Sequence, residues 1–420
     1  MTPTLLLAVE EPSSPGKNES SIPAISLLPA GSELENVILP TYDDEHQLTA
    51  VMKASIIRLV SANQIAGDAV NFEFFNPDRS RKGRIDFLKA SYDEKIGMMV
   101  ATGAVKIAFA RLDAVGTGLR YSTETNEGIL LGPASTLIKA PPKTTMKIPS
   151  ASIPAMAFVS LTTFPHELRA APPTPITPQQ MESLAADSAS RADQAQAVGE
   201  KSKAALAAEL AAGNRASKAA KAFLIQADLP VPPANAGDPE AKPLAVAAGM
   251  EDTLIECDGE IYFDAEEGVL VYMKNVSVKD PRFKLTGANE LKVFFDKKPA
   301  KAGKNKNSNA ETKAPKKGLG SNFGDSIGDP ARIVASGTIL IEQTGGEGKE
   351  PIQASGGLFT YNIKADEVII SGRFPWVRQG NRFFSSKQAN NLLRIFPKKA
   401  SFDTPGGGWK TGFPLDMKKP

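Results

Sequence analysis

The chain has 420 residues, more than the ~250–300 residues at which a single hydrophobic core usually stops growing, so more than one structural unit is expected. Its 41% apolar and 23% charged residues are typical of a globular protein. The 49 basic and 47 acidic side chains nearly cancel, which excludes the chain-wide positive field that nucleic-acid-binding proteins use. The single cysteine, Cys257, excludes an intrachain disulfide.

Residues 1–32 are rich in proline, serine and glycine and predict a disordered lead-in. The apolar run Leu5–Val9 has no basic stretch before it and is too short for a signal peptide. It is either the tail of a signal that starts further upstream or part of a disordered terminus. No apolar run approaches the ~20 residues that a membrane-spanning helix needs.

Residues 33–140 predict a first β region, because short apolar runs alternate with glycine-containing turn signals. Val105, Ile107 and Phe109 alternate with polar or small residues, as expected for a strand with one buried face.

Residues 141–250 predict a proline-rich linker that contains one helical segment, at about 178–226. Thr177, Pro178 and Gln180 form a typical helix start, with a capping hydroxyl followed by proline at the first helical position. Gly199 and Gly213-Asn214 are expected weak points, the second a candidate turn between two helices. Because large apolar residues are sparse, the pattern favours a spacer or weak coiled coil over a helix packed on a core.

Residues 251–400 predict a second β region. Ile255, Cys257, Ile261 and Phe263 share one parity, and the intervening residues, Glu256 to Asp264 including Tyr262, are expected on a wet face. Residues 297–320 carry eight lysines against one glutamate, which predicts a disordered insertion. Residues 401–420, with Gly406–Gly408, predict a flexible tail.

Both β regions contain a repeat in which an aromatic residue is followed eleven positions later by a turn residue, usually glycine. A polar turn and a short apolar strand lie between the two. Such a hairpin cannot bury its apolar face alone, so stacked copies are expected to share one core. The four pairs are Tyr92 and Gly103, Tyr121 and Gly132, Phe263 and Lys274, and Tyr361 and Gly372.

The segments CDGEIYFD (257–264), GVLVYMKNVSV (268–278) and LTGANELKV (285–293) resemble the OstA-like family of lipopolysaccharide-transport proteins, LptA and LptC. Lys274 stands where the family usually has glycine before Asn275-Val276. Residues 352–361 and 368–379 repeat this sequence pattern. Residues 83–138 are more similar to the LptC version of it, without the membrane anchor of LptC. The resemblance implies two twisted, V-shaped antiparallel β-jellyroll modules, joined here by the proline-flanked, alanine-rich helical spacer.

The resemblance further implies a periplasmic or envelope-associated protein that holds lipopolysaccharide or another acyl lipid in the β-jellyroll groove. It also implies partners among other lipopolysaccharide-transport components, joined by β-strand addition. A further hypothesis is that the lysine-rich insertion binds lipid phosphates. The alternative is that it is only a solvent-exposed loop. The candidate groove residues are Val105, Ile107, Phe109, Ile261, Phe263, Val276, Val278, Ile339 and Ile341.

The sequence shows no catalytic constellation, so we expect neither an enzyme nor a cofactor. His46 and His166 lack metal-ligand spacing. Cys257 has no histidine nearby and is interpreted as a small buried residue. The alternatives are an envelope scaffold built from the same repeat without lipid transport and, least favoured, a glycan-active enzyme using Asp258, Glu260 or Asp264.

Overall fold

A computed structural model describes residues 29–42, 45–140, 178–226, 248–296, 328–343 and 350–412. Most of the predicted lead-in, the proline-rich stretches on either side of the helix with His166, the lysine-rich insertion and the last eight residues lie outside these ranges. For residues 178–196 and 198 only the backbone is described.

The described residues form an antiparallel β structure with one α-helix between its two β regions, which confirms the predicted fold class. The strands are β1 Glu33–Tyr42, β2 Leu48–Ser61, β3 Gln64–Phe75, β4 Arg81–Asp93, β5 Met98–Phe109, β6 Leu112–Ser122, β7 Glu127–Leu131, β8 Ala134–Ile138, β9 Thr253–Cys257, β10 Ile261–Asp264, β11 Val269–Asp280, β12 Phe283–Phe295, β13 Pro330–Gln343, β14 Ile352–Asn362, β15 Glu367–Ser371, β16 Trp376–Gln379, β17 Arg382–Ser386, β18 Leu393–Phe396, β19 Ser401–Asp403 and β20 Trp409–Gly412; the helix is α1 Pro178–Gln226.

The strands pair mostly in chain order, and the ladder passes from one β region to the other without a break. β7 pairs with β10, with Leu130 opposite Ile261, and β8 pairs with β9, with Ala134 opposite Cys257. β7 and β8 therefore act as one interrupted strand beside a second one made of β10 and β9. The sequence left the relation of the two β regions open; the structure joins them into one hydrogen-bonded sheet.

A row of irregular residues crosses the middle of the ladder, and we call this row the crease. Register shifts lie at or beside it in several strand pairs, and such bulges bend a strand. The crease divides the sheet into a first arm, which carries the turns near residues 95, 125, 266 and 365, and a second arm, which carries the turns near residues 78, 110 and 281. The crease contains Ala69, Gly103, Gly132-Pro133, Gly259, Lys274-Asn275, Gly287, Gly337, Gly356-Gly357 and Gly372.

The crease explains the eleven-residue repeat, because each repeat's last residue lies in it. Gly103, Lys274 and Gly372 have positive φ values of 81°, 64° and 77°, which glycine adopts with little strain. A further position, five residues after each aromatic, lies in the connecting turn and is also left-handed. These turn residues are Gly97, Asn126, Gly268 and Asp366, with φ values of 58°, 56°, 65° and 52°.

The two arms face each other across one hydrophobic core. Phe283 at the tip of the second arm packs edge-on against Tyr361 of the first arm, with ring centroids 5.6 Å apart. The inward residues of both arms, from Ala50 in β2 to Ile395 in β18, belong to a single cluster of buried side chains. The folded sheet therefore encloses its core between the arms.

Helix α1 begins at Pro178, as predicted, and continues through Gly199 and Gly213-Asn214 to Gln226. The predicted turn at Gly213 is therefore wrong. Gly213 lies against the sheet, where an added Cβ would be 3.5 Å from both Lys292 and Val334, and this packing supports the helix at that point. No helix in the described ranges is both long and apolar enough to cross a membrane.

The second half of α1 packs on the outer surface of the first arm, which corrects the interpretation of the helix as a mere spacer. Phe223 contacts Tyr262 with ring centroids 6.0 Å apart, and Leu206 lies with Ile369 and Leu392. Ala216 and Ala220 of the helix belong to a buried cluster with strand residues. The prediction that Tyr262 lies on a wet face is also wrong, because the helix covers it.

Residues 401–412 are not a flexible tail. β19 pairs with β18 and β20 pairs with β17. The backbone carbonyl of Gly408 accepts a 2.7 Å hydrogen bond from the Lys387 N–H, so the triple glycine is fixed at its end. The second β region thus extends beyond its predicted boundary.

Gly132 is expected to tolerate no side chain, since a Cβ there would lie 1.7 Å from the Gly259 carbonyl oxygen. A clash with backbone cannot be relieved by a change of rotamer. We predict that Gly132→Ala lowers the free energy of unfolding by about 3 kcal/mol, the upper end of the usual overpacking cost. Urea denaturation of the full chain measures the change. Gly407→Ala is the control, because no atom lies within 4 Å of a Cβ there; equal losses in both variants would contradict the prediction.

Phe223 is expected to attach α1 to the sheet. We predict that Phe223→Ala lowers the free energy of unfolding by about 3 kcal/mol, since it removes a buried aromatic ring from Tyr262. Hydrogen–deuterium exchange should increase in the second half of α1 before it increases in β11. The matched control is Ile225→Ala, whose side chain is 79% exposed. Unchanged exchange in the Phe223 variant would show that the helix is held elsewhere.

Candidate functional site

The nine residues predicted to line a groove all lie in the core between the arms. None is more than 7% exposed, and all belong to the same cluster. Ile261 and Phe263 project from the first arm, whereas Val105, Ile107 and Phe109 lie on the second. The structure therefore brings together residues from both β regions, although it buries them as packed core.

The core includes inward residues that the sequence reasoning missed. Met52, Phe72 and Phe87 come from β2, β3 and β4, and Phe359 and Tyr361 come from β14. Phe72 packs edge-on against Phe87, with centroids 6.1 Å apart. The signal was the same alternation of buried and exposed residues that identified β5, since it also runs through β3 and β4.

The two β regions share the core through direct aromatic contact. Tyr121 of β6 stacks on Phe263 of β10 with ring centroids 5.9 Å apart and an interplanar angle of 19°. The Tyr121 hydroxyl bonds the Asn126 side-chain carbonyl at 3.1 Å. Burial raises the pKa of Tyr121 to about 12, so the hydroxyl is neutral and donates this hydrogen bond near neutral pH.

The side of the core opposite the crease, which we call the mouth, is closed by polar side chains. Arg282, in the turn between β11 and β12, donates a 2.7 Å hydrogen bond to the Tyr361 hydroxyl on the first arm. Asp280 holds the same guanidinium at 2.7 and 2.8 Å and accepts a 2.7 Å hydrogen bond from Thr253. The arm tips are also joined by an ion pair between Arg111 of the second arm and Asp329 of the first.

The charges at the mouth stabilise one another. Burial opposes ionisation of Asp280, but the hydrogen bonds and charge of Arg282 outweigh it and lower the pKa of this carboxyl. The hydrogen bond to Asp280 raises the pKa of Arg282. Burial raises the pKa of Tyr361 to about 12. The mouth therefore holds a half-buried ion pair and a neutral phenol near neutral pH, and removal of Arg282 would leave the buried Asp280 carboxylate without its countercharge.

Two concavities lie on opposite faces of the sheet. One, of 520 Å³, is a concavity on the outer surface at the junction of the two β regions; its lining includes Ser135, Glu256, Asp258 and Ser277. The other, of 30 Å³, which we call the inner cavity, is a half-open concavity on the core-facing side of β2, β3, β4 and β5. Only the inner cavity is lined almost entirely by apolar side chains.

The groups considered for catalysis are engaged in structural contacts. Cys257 is buried, as predicted, and burial raises the pKa of its thiol to about 11. Asp258 accepts a 2.9 Å hydrogen bond from Asn275, and Asp264 accepts hydrogen bonds from two backbone N–H groups in its own turn. His46 lies in the turn before β2. No group of three metal-ligating side chains occurs within the residues that the structure describes.

Comparison of the sequence with models of known families and with curated protein sequences gives no match. Among solved structures, the chain is similar to LptH, the LptA-homologous periplasmic component of the lipopolysaccharide transport device of Pseudomonas aeruginosa, with 16% sequence identity and a TM-score of 0.28. The match covers 39% of this chain and 95% of that one. A likeness of this size supports no assignment of family or function.

Proposed function

We propose that this protein binds the acyl chains of lipopolysaccharide or another acyl lipid between the two arms of its folded sheet, and acts in periplasmic lipid transport or outer-membrane biogenesis. One observation carries the proposal: the apolar core continues between the arms from β2 to β18. Burial contributes about 0.8 kcal/mol per methylene. A long apolar interior therefore has the chemistry to compete with a membrane for an acyl chain.

Entry of a lipid requires the arms to separate, because the inner cavity of 30 Å³ holds about one water-sized group. The contacts named at the mouth are made by side chains, such as Arg282 on Tyr361. Opening the mouth would therefore leave the backbone ladder on either side of the crease intact. Transport by such a route needs neither a catalytic residue nor a cofactor, and we propose none.

Site-specific photo-crosslinking tests the lipid-binding proposal. We predict that a photoreactive residue at Val105 or Ile261 forms adducts with lipopolysaccharide in native envelopes, because both positions face the core. A photoreactive residue at Lys106, which is exposed on the opposite face of β5, is the matched control and should form none. Mass spectrometry of the purified protein identifies the adducts.

If neither inward position forms lipid adducts and the purified protein contains no lipid, the groove assignment is wrong. The protein would then be better described as an envelope scaffold built from the same strands.

We further propose that partners join by strand addition at the β1 end of the ladder. Among the described strands, β1 pairs only with β2, so one edge of its backbone is available to another strand. Pro40 removes one N–H from this strand, and proline is tolerated at a sheet edge. Other lipopolysaccharide-transport components are the partners that this proposal implies.

A crosslinker at Ile38, which is 64% exposed on β1, is expected to capture a protein partner. The control is Leu88, which is 52% exposed in the middle of the sheet and lies away from any edge. Strand addition is supported if only the Ile38 variant gives gel-shifted adducts and mass spectrometry identifies an envelope component in them. Equal capture at both positions would indicate non-specific contact.

A further inference from the structure

Some inward residues of β2, β3 and β4 are more exposed than those in the middle of the core. Met52, Phe72 and Ile85 retain 9%, 8% and 7% of their exposure, whereas inward residues of β11, β12 and β13 such as Val278, Leu291 and Ala335 retain 0%. The exposure changes along the ladder. The more exposed residues lie near the free edge at β1, and the fully buried ones lie in the middle of the ladder. The core thus has a more accessible end and a closed body.

The inner cavity lies in this accessible end and has an apolar lining. It is bounded from both arms, by Met52 and Phe72 of the second arm and by Ile57, Tyr92 and Met99 of the first. A concavity with this lining favours apolar ligands over water.

The lining combines small residues with adaptable ones. Gly67 and Ala90 lie opposite each other in the inward register, and Ala90 leaves space that a larger side chain would fill. Met52 and Met99 are unbranched, and methionine changes shape more easily than the branched residues of a rigid core. The β11–β13 body instead is built mainly from valine, leucine and isoleucine at its inward positions, which restrict side-chain movement.

The cavity is also near an incompletely covered surface. Leu34, Val37 and Leu39 of β1 pack against the core and remain only partly buried. Helix α1, by contrast, contacts β7, β11 and β13, which reinforces the body of the sheet. A displacement of strands is therefore easier at the β1 end than under the helix.

We propose that the β2–β5 end is the preferred acyl-chain subsite of this protein, the part of the core that a chain occupies first, formed around Met52, Ile57, Val70, Phe72, Ala90 and Met99. The proposal rests on the proposed function and assigns it to one end of the core. The ligand class is a saturated acyl chain, because the lining offers almost no polar partner. The subsite uses residues outside the nine that the sequence suggested.

Photolabelling of the full chain with a palmitic acid analogue that carries a diazirine in its chain tests the proposal. Digestion and mass spectrometry locate the adducts. We expect more of them in peptides from residues 45–109 than in peptides from residues 253–343. Adducts spread evenly, or concentrated in the second range, would overturn the subsite while leaving acyl-chain binding itself supported. No adduct anywhere on the folded chain would overturn both.

A cavity-filling variant gives an independent measurement. Ala90→Leu should occupy the inner cavity and lower the affinity for palmitic acid about fourfold, the effect of displacing about one methylene from a cavity of 30 Å³. Ala108→Leu is the matched control, because Ala108 lies on β5 in the outward register and does not line the cavity. Equal affinities of the two variants, with circular dichroism showing both folded, would contradict the subsite. If Ala90→Leu does not fold, the labelling pattern of the unsubstituted chain decides the question.

Discussion

The pairing of β7 and β8 with β10 and β9 is the constraint on which the rest of the architecture depends. Without it, each β region would end in an unpaired strand and expose one side of its apolar interior. With it, the ladder crosses between the regions and both contribute to one core. The close approach of Gly132 to Gly259 shows how little space the junction leaves. Glycine at both positions is what lets the two interrupted strands bend side by side.

Alternating patterns in the sequence were enough to predict which residues face the core. Ile261 and Phe263 on β10 and Val105 and Ile107 on β5 all point inward, because a period of two places every other residue on one face. The repeat marked positions in the crease, but its last residue was predicted as a turn, whereas Gly103 and Lys274 lie within β5 and β11 and bend the strand. The left-handed turn residues were missed because they are different amino acids in different repeats. Glycine, asparagine and aspartate all adopt this conformation, so no single residue type marks the position.

What the sequence could not predict depends on contacts between distant segments. Tyr262 has the parity of an exposed residue, and it is buried because α1 packs over it, with Phe223 against its ring. The sparse apolar residues of α1 suggested a spacer because the helix pattern does not reveal that alanines such as Ala216 and Ala220 fit closely against a sheet. β19 and β20 are short, and pairing with β18 and β17 rather than local propensity defines them.

The long connection between β8 and β9 has a consequence for how the chain folds. Most neighbouring strands are hairpins whose partners are close in sequence, but the Cys257 thiol contacts the Ala134 carbonyl 123 residues away. The entropy of closing a loop grows only as the logarithm of its length, by about 0.6 kcal/mol for each doubling. Closure is slow relative to hairpin formation, because non-local contacts form after their loop cost has been met. Each β region is therefore expected to build its own hairpins first, and the sheet to become continuous in a late step that tolerates large changes in the length of the connection.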